Sequence, residues 1–357
     1  MRRVTIGGRE IGSGRPVYVV AEMSANHAQS LDRACALVRA AKDAGADAIK
    51  LQTYTPDTMT LASDDPRFRV DGTLWHGRRL HDLYAEAFTP WDWHGRLKDA
   101  AADAGLDWFS TPFDATAVDF LERLDPPAYK IASFELVDVP LLARVARTAK
   151  PVILSTGMAT LAEIDEAVST LRENGCDRIV LLKCTSAYPA VASEMDLLTI
   201  PNLAETFDAV VGLSDHSMEI AVPVTAAVLG ACLIEKHLTL SRSDGGPDAA
   251  FSLEPAEFRS MVDALRCSEQ ALGSVRYGPS PREHASLAFR RSLFVVEDMQ
   301  AGDRFTEANV RSIRPSGGLH PRHLAQVIGC AASCAIRRGT PMSWPLVRPA
   351  SVVELNT

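Results

Sequence analysis

The sequence predicts a (β/α)8 barrel followed by a small β-rich module, and two observations support the barrel. Short apolar runs recur eight times between residues 17 and 237, and segments with helical spacing of apolar residues separate them. Strands that alternate with helices pair in parallel through right-handed crossovers, and eight such units are typical of this barrel. A doubly wound open sheet is the alternative, but it lacks its commonest support because no G-x-G-x-x-G follows the first run. The runs are 17–21, 48–53, 107–111, 128–133, 151–156, 179–185, 210–215 and 233–237.

The start of the chain shows clear hairpin, strand and helix signals. Residues 2–16 predict a short hairpin ahead of the barrel. The run 17–21 is continuously apolar and ends at Glu22, which suits a strand covered on both faces. Ser30 is placed to cap the next helix and Gly45 to end it, because serine accepts hydrogen bonds from the first turn and glycine adopts left-handed backbone.

One connection, from Thr55 to about Trp93, is unusually long for a compact barrel. Long connections of this kind are often lids or binding loops. A peripheral helical insertion explains the length equally well, so both interpretations stay open. The connection is rich in large polar and aromatic side chains: Trp75, His76, Arg78, Tyr84 and Trp91.

The chain of 357 residues is long enough for one large domain and one small one. Beyond residue 272 the helical pattern gives way to short β-like segments. We therefore expect a barrel domain with its hairpin at 1–273, a linker at 274–289 and a β-rich module at 290–350.

Composition excludes several classes of protein. The net charge is −8 with both signs interspersed, which argues against a nucleic-acid surface. Seven cysteines without a C-x-x-C pair suggest reduced thiols. There is no apolar run of membrane-spanning length and no signal-peptide pattern. We expect a soluble, cytoplasmic protein with no nucleic-acid or membrane partner.

Polar side chains cluster where the predicted strands end, which is where such barrels build active sites. His216 and His237 end two successive runs in matching positions, so they could share one divalent metal ion. A lone histidine is more often a satisfied structural residue, and the matching positions favour the metal. The full set at strand ends is Glu22, Lys50, Thr111, Lys130, Ser133, Ser155, Lys183, Ser214, His216, Glu235 and His237.

Two lysines inside apolar runs, Lys50 and Lys130, are the other informative residues. A buried lysine is costly unless it meets an anion, so together with nearby hydroxyls these two would suit a phosphate. The alternative is an ion pair with Glu22 or Glu235, the two carboxylates available for proton transfer. The residues leave two reactions open: carbon–carbon bond formation with a phosphorylated three-carbon unit, and phosphate hydrolysis.

Several motifs resemble the sialic acid synthase family, in family order and over nearly the whole chain. The terminal module, from about Ser292 to Val347, resembles the antifreeze-like (SAF) domain of that family. The motifs are A-E-M-S-A-N-H (21–27), K-L-Q-T-Y (50–54), F-S-T-P-F-D (109–114), Y-K-I-A-S (129–133), L-S-T-G-M (154–158), C-T-S-A-Y-P (184–189), G-L-S-D-H-S (212–217), E-K-H-L-T-L (235–240) and G-P-D-A-A-F-S-L (246–253).

The resemblance implies condensation of phosphoenolpyruvate with an open-chain, N-acetylated amino sugar, giving a nonulosonic acid and phosphate. It implies that His216 and His237 hold a divalent metal, Mn²⁺ first, with Mg²⁺ or Co²⁺ as alternatives. Glu22 and Glu235 resemble the residues that handle protons, without a fixed division between them. The implied phosphoenolpyruvate ligands are Lys50, Thr111, Lys130, Ser133, Ser155 and Ser214.

The resemblance also implies a sugar site and an assembly. Tyr188 and Asp248 match sugar-contacting positions. Arg314 matches an arginine that one subunit inserts into the barrel mouth of the other, which implies a domain-swapped homodimer linked through 274–289. Within the family, the chain is most similar to the branch that makes pseudaminic acid from a 2,4-diacetamido-2,4,6-trideoxy hexose.

The sequence leaves other functions open as alternatives. N-acetylneuraminate or legionaminate synthesis would use the same motifs with another sugar. A Schiff-base aldolase would use Lys130 or Lys183 and need no metal. A sugar-binding protein without turnover would use the terminal module as a lectin-like surface.

Overall fold

The computed structural model describes residues 3–349, and the chain divides into one compact unit up to residue 273 and a second from residue 274. Residue 2 of the expected hairpin and residue 350 of the expected terminal module lie outside the described residues.

The first unit contains the predicted barrel of eight parallel strands, in which each strand pairs with the next along the chain and the last pairs with the first. An antiparallel hairpin, β1 (Arg3–Ile6) and β2 (Arg9–Gly12), precedes it, as expected. The fourth strand of the barrel, predicted at 128–133, ends at Ile131, because a 3-10 turn begins at Ser133. The barrel strands are β3 (Tyr18–Glu22), β4 (Ala48–Thr53), β5 (Asp107–Pro112), β6 (Tyr129–Ile131), β7 (Val152–Ser155), β8 (Ile179–Cys184), β9 (Val210–Asp215) and β10 (Leu233–His237).

The helices follow the predicted caps. The Ser30 side chain accepts a hydrogen bond from the Arg33 backbone N–H at 3.3 Å and starts the first helix. Among residues 3–349, no helix combines the length and the apolarity that crossing a bilayer requires. The helices of the first unit are α1 (Leu31–Asp43), α2 (Pro56–Met59), α3 (Leu80–Ala87), α4 (His94–Ala104), α5 (Ala115–Glu122), α6 (Val139–Ala146), α7 (Leu161–Glu173), α8 (Thr199–Phe207), α9 (Ala221–Val228) and α10 (Pro255–Leu272).

The apolar core of the first unit has two layers. The larger layer packs the barrel strands against the surrounding helices, and it includes Val19 of β3 and Leu37 of α1. The smaller layer includes Val20 and Phe109 together with Val4 and Ile6 of the hairpin. The hairpin therefore closes the end of the barrel at which the strands begin, and the end at which they finish is left for side chains with chemistry.

The second unit is small and rich in short strands, as the sequence predicts. Two antiparallel pairs form from β11 (Ser292–Val295) with β12 (Val310–Ile313), and from β13 (Ala331–Ala332) with β14 (Val347–Arg348). Its one described α-helix is a single turn, α11 (Leu324–Val327). It has its own apolar core, which includes Leu293, Phe305 and Val327.

Candidate active site

A cavity of about 410 Å³ opens where the barrel strands end. Strand register explains why polar groups meet there, because Glu22 pairs with Lys50 on one side and with His237 on the other. Glu235 likewise lies beside Ser214 on the neighbouring strand. The predicted site residues that line the cavity are Glu22, Lys50, Lys130, Ser133, Ser155, Tyr188, Ser214, His216, Glu235, His237 and Asp248.

Lys50 lies at the centre of a buried charge cluster. Its Nζ is 2.6 Å from Glu22 Oε2 and 3.2 Å from Glu235 Oε1, and it donates to Thr111 Oγ1 at 3.2 Å. Lys130 Nζ is 3.9 Å from the same Glu235 oxygen and donates to the Ile131 carbonyl at 3.0 Å. Lys50 therefore pairs with Glu22 and Glu235, and Lys130 with Glu235, which is the alternative to phosphate binding that the sequence offers. These ion pairs lie on the wall of the cavity.

This cluster shifts the pKa values of the two carboxylates in opposite directions. Burial raises the pKa of Glu22 despite the nearby Lys50. Burial also acts on Glu235, but Lys130 and Lys50 outweigh it and lower the Glu235 pKa. Burial lowers the pKa of Lys130, whereas Glu22 and Glu235 overcome burial and raise that of Lys50. Paired groups with diverging pKa values are typical of acid and base roles in one site.

Several buried polar atoms on the cavity wall have no hydrogen-bond partner among the described residues. They are Glu135 Oε2, Ser155 Oγ, Glu235 Oε2 and His237 Nδ1. Buried polar groups are nearly always satisfied in folded proteins, because an unmade hydrogen bond is costly. Their concentration in one cavity indicates a site whose remaining hydrogen-bonding capacity is meant for a ligand.

The two predicted metal ligands lie together. The rings of His216 and His237 have centroids 5.4 Å apart. His216 Nδ1 is 3.0 Å from the Thr185 carbonyl, a contact that fixes the ring and leaves Nε2 available. Burial keeps the pKa of His237 well below its ordinary value, so its imidazole is neutral, the form that binds metals.

The donor set fits a divalent cation that is held partly by substrate or water. Within residues 3–349, no three histidine, cysteine or acidic side chains are placed to hold a metal ion together. Two imidazoles alone leave coordination positions open, as catalytic metal sites require. The unpartnered Nδ1 of His237 is the structural observation that agrees with this assignment.

A fully buried ion pair supports the loop that carries His216. Lys236 Nζ is 2.5 Å from Asp215 Oδ2 and also donates to the Ser217 carbonyl. Asp215 Oδ1 in turn accepts from the Ser217 backbone N–H at 2.8 Å. The pair therefore ties strand β10 to the residues on both sides of His216.

The remaining predicted residues occupy different positions. Thr111 is fully buried and contacts Lys50 but does not line the cavity. Asp248 accepts from Ser24 Oγ and from the Ala25 backbone N–H at 3.3 Å. The Tyr188 ring packs against His216 with centroids 4.5 Å apart. Arg314 belongs to the second unit, directly after β12.

Sequence reasoning missed polar residues of the cavity, Gln52 and Glu135 among them. Gln52 donates to Glu22 Oε1 at 3.2 Å and to Ser24 Oγ at 2.9 Å. It follows Lys50 by two positions on β4, and this alternation could have identified it. Glu135 follows Ser133 in the same turn, and burial raises its pKa to about 7.

The long connection after β4 lines the cavity, so the structure supports the lid interpretation over a peripheral insertion. Trp75 Nε1 donates to the Pro247 carbonyl at 3.0 Å. The Trp75 ring also packs with Tyr188 and Phe251, at centroid distances of 5.8 and 6.4 Å. The lid is thereby attached to residues that surround the two histidines.

Sequence comparison identifies the relatives of this chain. The chain is 45% identical to the pseudaminic acid synthase of Campylobacter jejuni over 325 residues, 91% of this chain and 95% of that protein. Identity to the Helicobacter pylori pseudaminic acid synthase is also 45%, covering 92% of this chain and 97% of that one. The N,N'-diacetyllegionaminic acid synthase of Legionella pneumophila is 34% identical, covering 93% and 95%.

Solved structures and family models agree with these relatives. The N-acetylneuraminic acid synthetase of Leptospira borgpetersenii superposes with a TM-score of 0.71 at 30% identity, covering 80% of this chain and 95% of that one. The spore coat polysaccharide biosynthesis protein SpsE of Bacillus subtilis gives 0.67 at 33%, covering 98% and 100%. The sequence model of the SAF domain matches residues 290–348, and that of the NeuB family matches residues 37–277. The chain therefore belongs to the NeuB family, as its resemblance to sialic acid synthases predicts.

Proposed function

We propose that this chain is an enzyme that condenses phosphoenolpyruvate with 2,4-diacetamido-2,4,6-trideoxy-L-altrose and water, giving pseudaminic acid and phosphate. The observation that carries the proposal is the 45% identity to pseudaminic acid synthases along almost their whole length. Identity to the N,N'-diacetyllegionaminic acid synthases is 34%. The cavity at the strand ends supports the proposal because it combines cations, hydroxyls and carboxylates in one place.

In this proposal the buried lysines bind the anionic groups of phosphoenolpyruvate. Lys50 and Lys130 supply positive charge, and hydroxyl groups direct the phosphate by donating hydrogen bonds. Ser155 is well suited to this role because its buried Oγ has no partner among the described residues. Thr111 would act through its contact with Lys50. Ser133 and Ser214 complete the proposed phosphoenolpyruvate set.

The two carboxylates divide the proton transfers in this proposal. C3 of phosphoenolpyruvate attacks the sugar aldehyde carbon, water adds at C2, and phosphate leaves. Glu22, whose pKa burial raises, would donate the proton that the aldehyde oxygen needs to become a hydroxyl. Glu235, with its lowered pKa, stays ionised and accepts the proton that the attacking water releases.

His216 and His237 would hold a divalent cation, with Mn²⁺ as the first candidate and Mg²⁺ or Co²⁺ as alternatives. Bound there, the cation would supply a Lewis acid for the sugar carbonyl. Tyr188 and Asp248, on the same cavity wall, would contact the sugar hydroxyls and amides.

We also propose a domain-swapped homodimer in which Arg314 of one subunit completes the sugar site of the other. The similarity of the second unit to a SAF domain supports this. Arg314→Ala is expected to raise the sugar KM about tenfold with little change in kcat, because a contact made before chemistry is lost. An unchanged sugar KM would contradict the swap.

All seven cysteines are free, which agrees with a cytoplasmic location.

Phosphate release across a panel of sugars tests the function. The purified chain with Mn²⁺ and phosphoenolpyruvate should turn over the trideoxy altrose faster than the legionaminate precursor or N-acetylmannosamine. Faster turnover of either competitor would overturn the assignment. Full activity in excess chelator would instead favour a Schiff base on Lys130, whose pKa burial lowers.

A further inference from the structure

The cavity has two chemically different sides. One side, which we call the polar floor, consists of Glu22, Lys50, Lys130, Ser155 and Glu235 at the strand ends. The other side, which we call the apolar compartment, comes mostly from the lid. Its members are Met59, Val70, Leu80, Leu83, Ala87 and Phe113, and Thr73, Trp75 and Tyr84 of the lid line the cavity beside them.

The apolar compartment is held in place by contacts of its own. The Val70 backbone N–H donates to the Arg78 carbonyl at 2.9 Å, and the Gly77 N–H donates to the Val70 carbonyl at 2.8 Å. Leu83 is buried on α3. The Tyr54 ring meets Phe113 edge-on, with centroids 5.1 Å apart. A wall fixed in this way can select a ligand by its shape and polarity.

The two sides set the direction in which an open-chain sugar binds. Under the proposed function, the aldehyde carbon must meet phosphoenolpyruvate at the polar floor, so the far end of the sugar extends toward the lid. We propose that the apolar compartment binds this far end and selects a sugar with a methyl group at C6 over one with a hydroxymethyl group. A hydroxyl pressed against these side chains would lose its hydrogen bonds to water.

The test compares two acceptors of the same stereochemistry, the 2,4-diacetamido-2,4,6-trideoxy hexose and its 6-hydroxy counterpart. With Mn²⁺ and phosphoenolpyruvate, the wild-type ratio of kcat/KM should favour the 6-deoxy sugar by about tenfold to a hundredfold. Leu80→Asn should bring this ratio close to one. Val70→Thr, which is nearly isosteric and therefore keeps the fold, should lower the ratio by several-fold.

Leu61→Asn is the matched control, because Leu61 belongs to the same lid, is 65% exposed and does not line the cavity. It should leave the ratio at the wild-type value. Equal use of both sugars by the wild type, or unchanged ratios in Val70→Thr and Leu80→Asn, would overturn the inference. Turnover of N-acetylmannosamine but of neither 2,4-diacetamido sugar would instead overturn the proposed function.

Discussion

The two ends of the barrel satisfy the hydrogen bonds of their polar side chains to different degrees. Where the strands begin, Asp47 accepts from the Val19 backbone N–H at 2.9 Å and pairs with Arg266 at 3.2 Å. Asp107 accepts from the Tyr18 hydroxyl at 2.7 Å. Where the strands finish, side-chain atoms of four cavity residues have no partner among the described residues.

The same strands therefore carry groups that stabilise the fold at one end and groups available to a ligand at the other. At the closed end, the hairpin packs against the strands and each of these half-buried carboxylates has a partner, so the groups contribute to folding. At the open end, buried charges and unpartnered atoms lower stability but keep hydrogen-bonding capacity for a ligand. Substitutions at the two ends should therefore affect different measurements.

The largest effect on activity is expected from His237→Ala. Losing a group that only supports a metal ligand typically lowers activity about 10- to 100-fold. If His237 itself holds the cation, turnover should fall by more than that. Calorimetric titration with Mn²⁺ should show lost binding, while the circular dichroism spectrum stays the same. His284→Ala, at an exposed histidine of the second unit, is the control. A His237→Ala variant with normal turnover would remove this residue from the site.

Lys236→Met should affect both stability and metal binding. Removing one partner of a buried ion pair costs about 3–5 kcal/mol, because the Asp215 charge is left unpaired. The Mn²⁺ affinity should also fall, about 10- to 100-fold, because the loop around His216 loses its support. The double variant Lys236→Met/Asp215→Leu should recover stability but not metal affinity. If affinity recovers as well, the pair has no positioning role.

Glu135→Gln tests the open end of the barrel through the pH dependence of the free energy of unfolding. Burial raises the pKa of Glu135 from 4.5 to about 7, against the opposing effect of Lys130. Between these values the folded state keeps a proton that the unfolded state has lost. Its contribution to the free energy of unfolding therefore falls as pH rises, by up to about 1.4 kcal/mol per pH unit, and levels off above pH 7.

The amide in Glu135→Gln cannot ionise, so the variant should lose this part of the pH dependence. Chemical denaturation of both proteins from pH 4.5 to 8 measures the difference. Parallel stability curves for the two proteins would show that Glu135 is ionised at neutral pH and is not a source of strain in the site.

The smallest effect is expected at the closed end, from Gly7→Ala. Gly7 has a φ of +55°, and a side chain there would collide with Asp107. Left-handed backbone costs alanine about 1–2 kcal/mol, so the melting temperature should drop by a few degrees with unchanged kcat and KM.

Gly8→Ala is the control for Gly7→Ala, because Gly8 also has a positive φ, +83°, but open space around it. The extra loss in Gly7→Ala then measures the collision with Asp107. A change in kcat in Gly7→Ala would show that the two ends are coupled.

Much of this architecture follows from local patterns. The eight apolar runs predict the barrel strands, with most boundaries within one residue, because continuous apolarity reports burial on both faces. Glu22, Lys50 and His237 could be grouped from sequence because parallel strands finish at one edge. Gln52 was missed although its alternation with Lys50 on β4 could have identified it, and Glu135 was missed because nothing local shows which way it faces.

The sequence by itself determined the order of strands and helices, the family, and the strand ends at which the chemistry lies, since periodicity and motifs are properties of neighbouring residues. The tertiary structure alone decided which polar atoms stay unpartnered, how the pKa values of Glu22 and Glu235 separate, and which lid side chains face the cavity. Those properties depend on distances between residues far apart in the chain, because burial and Coulomb interactions act through space.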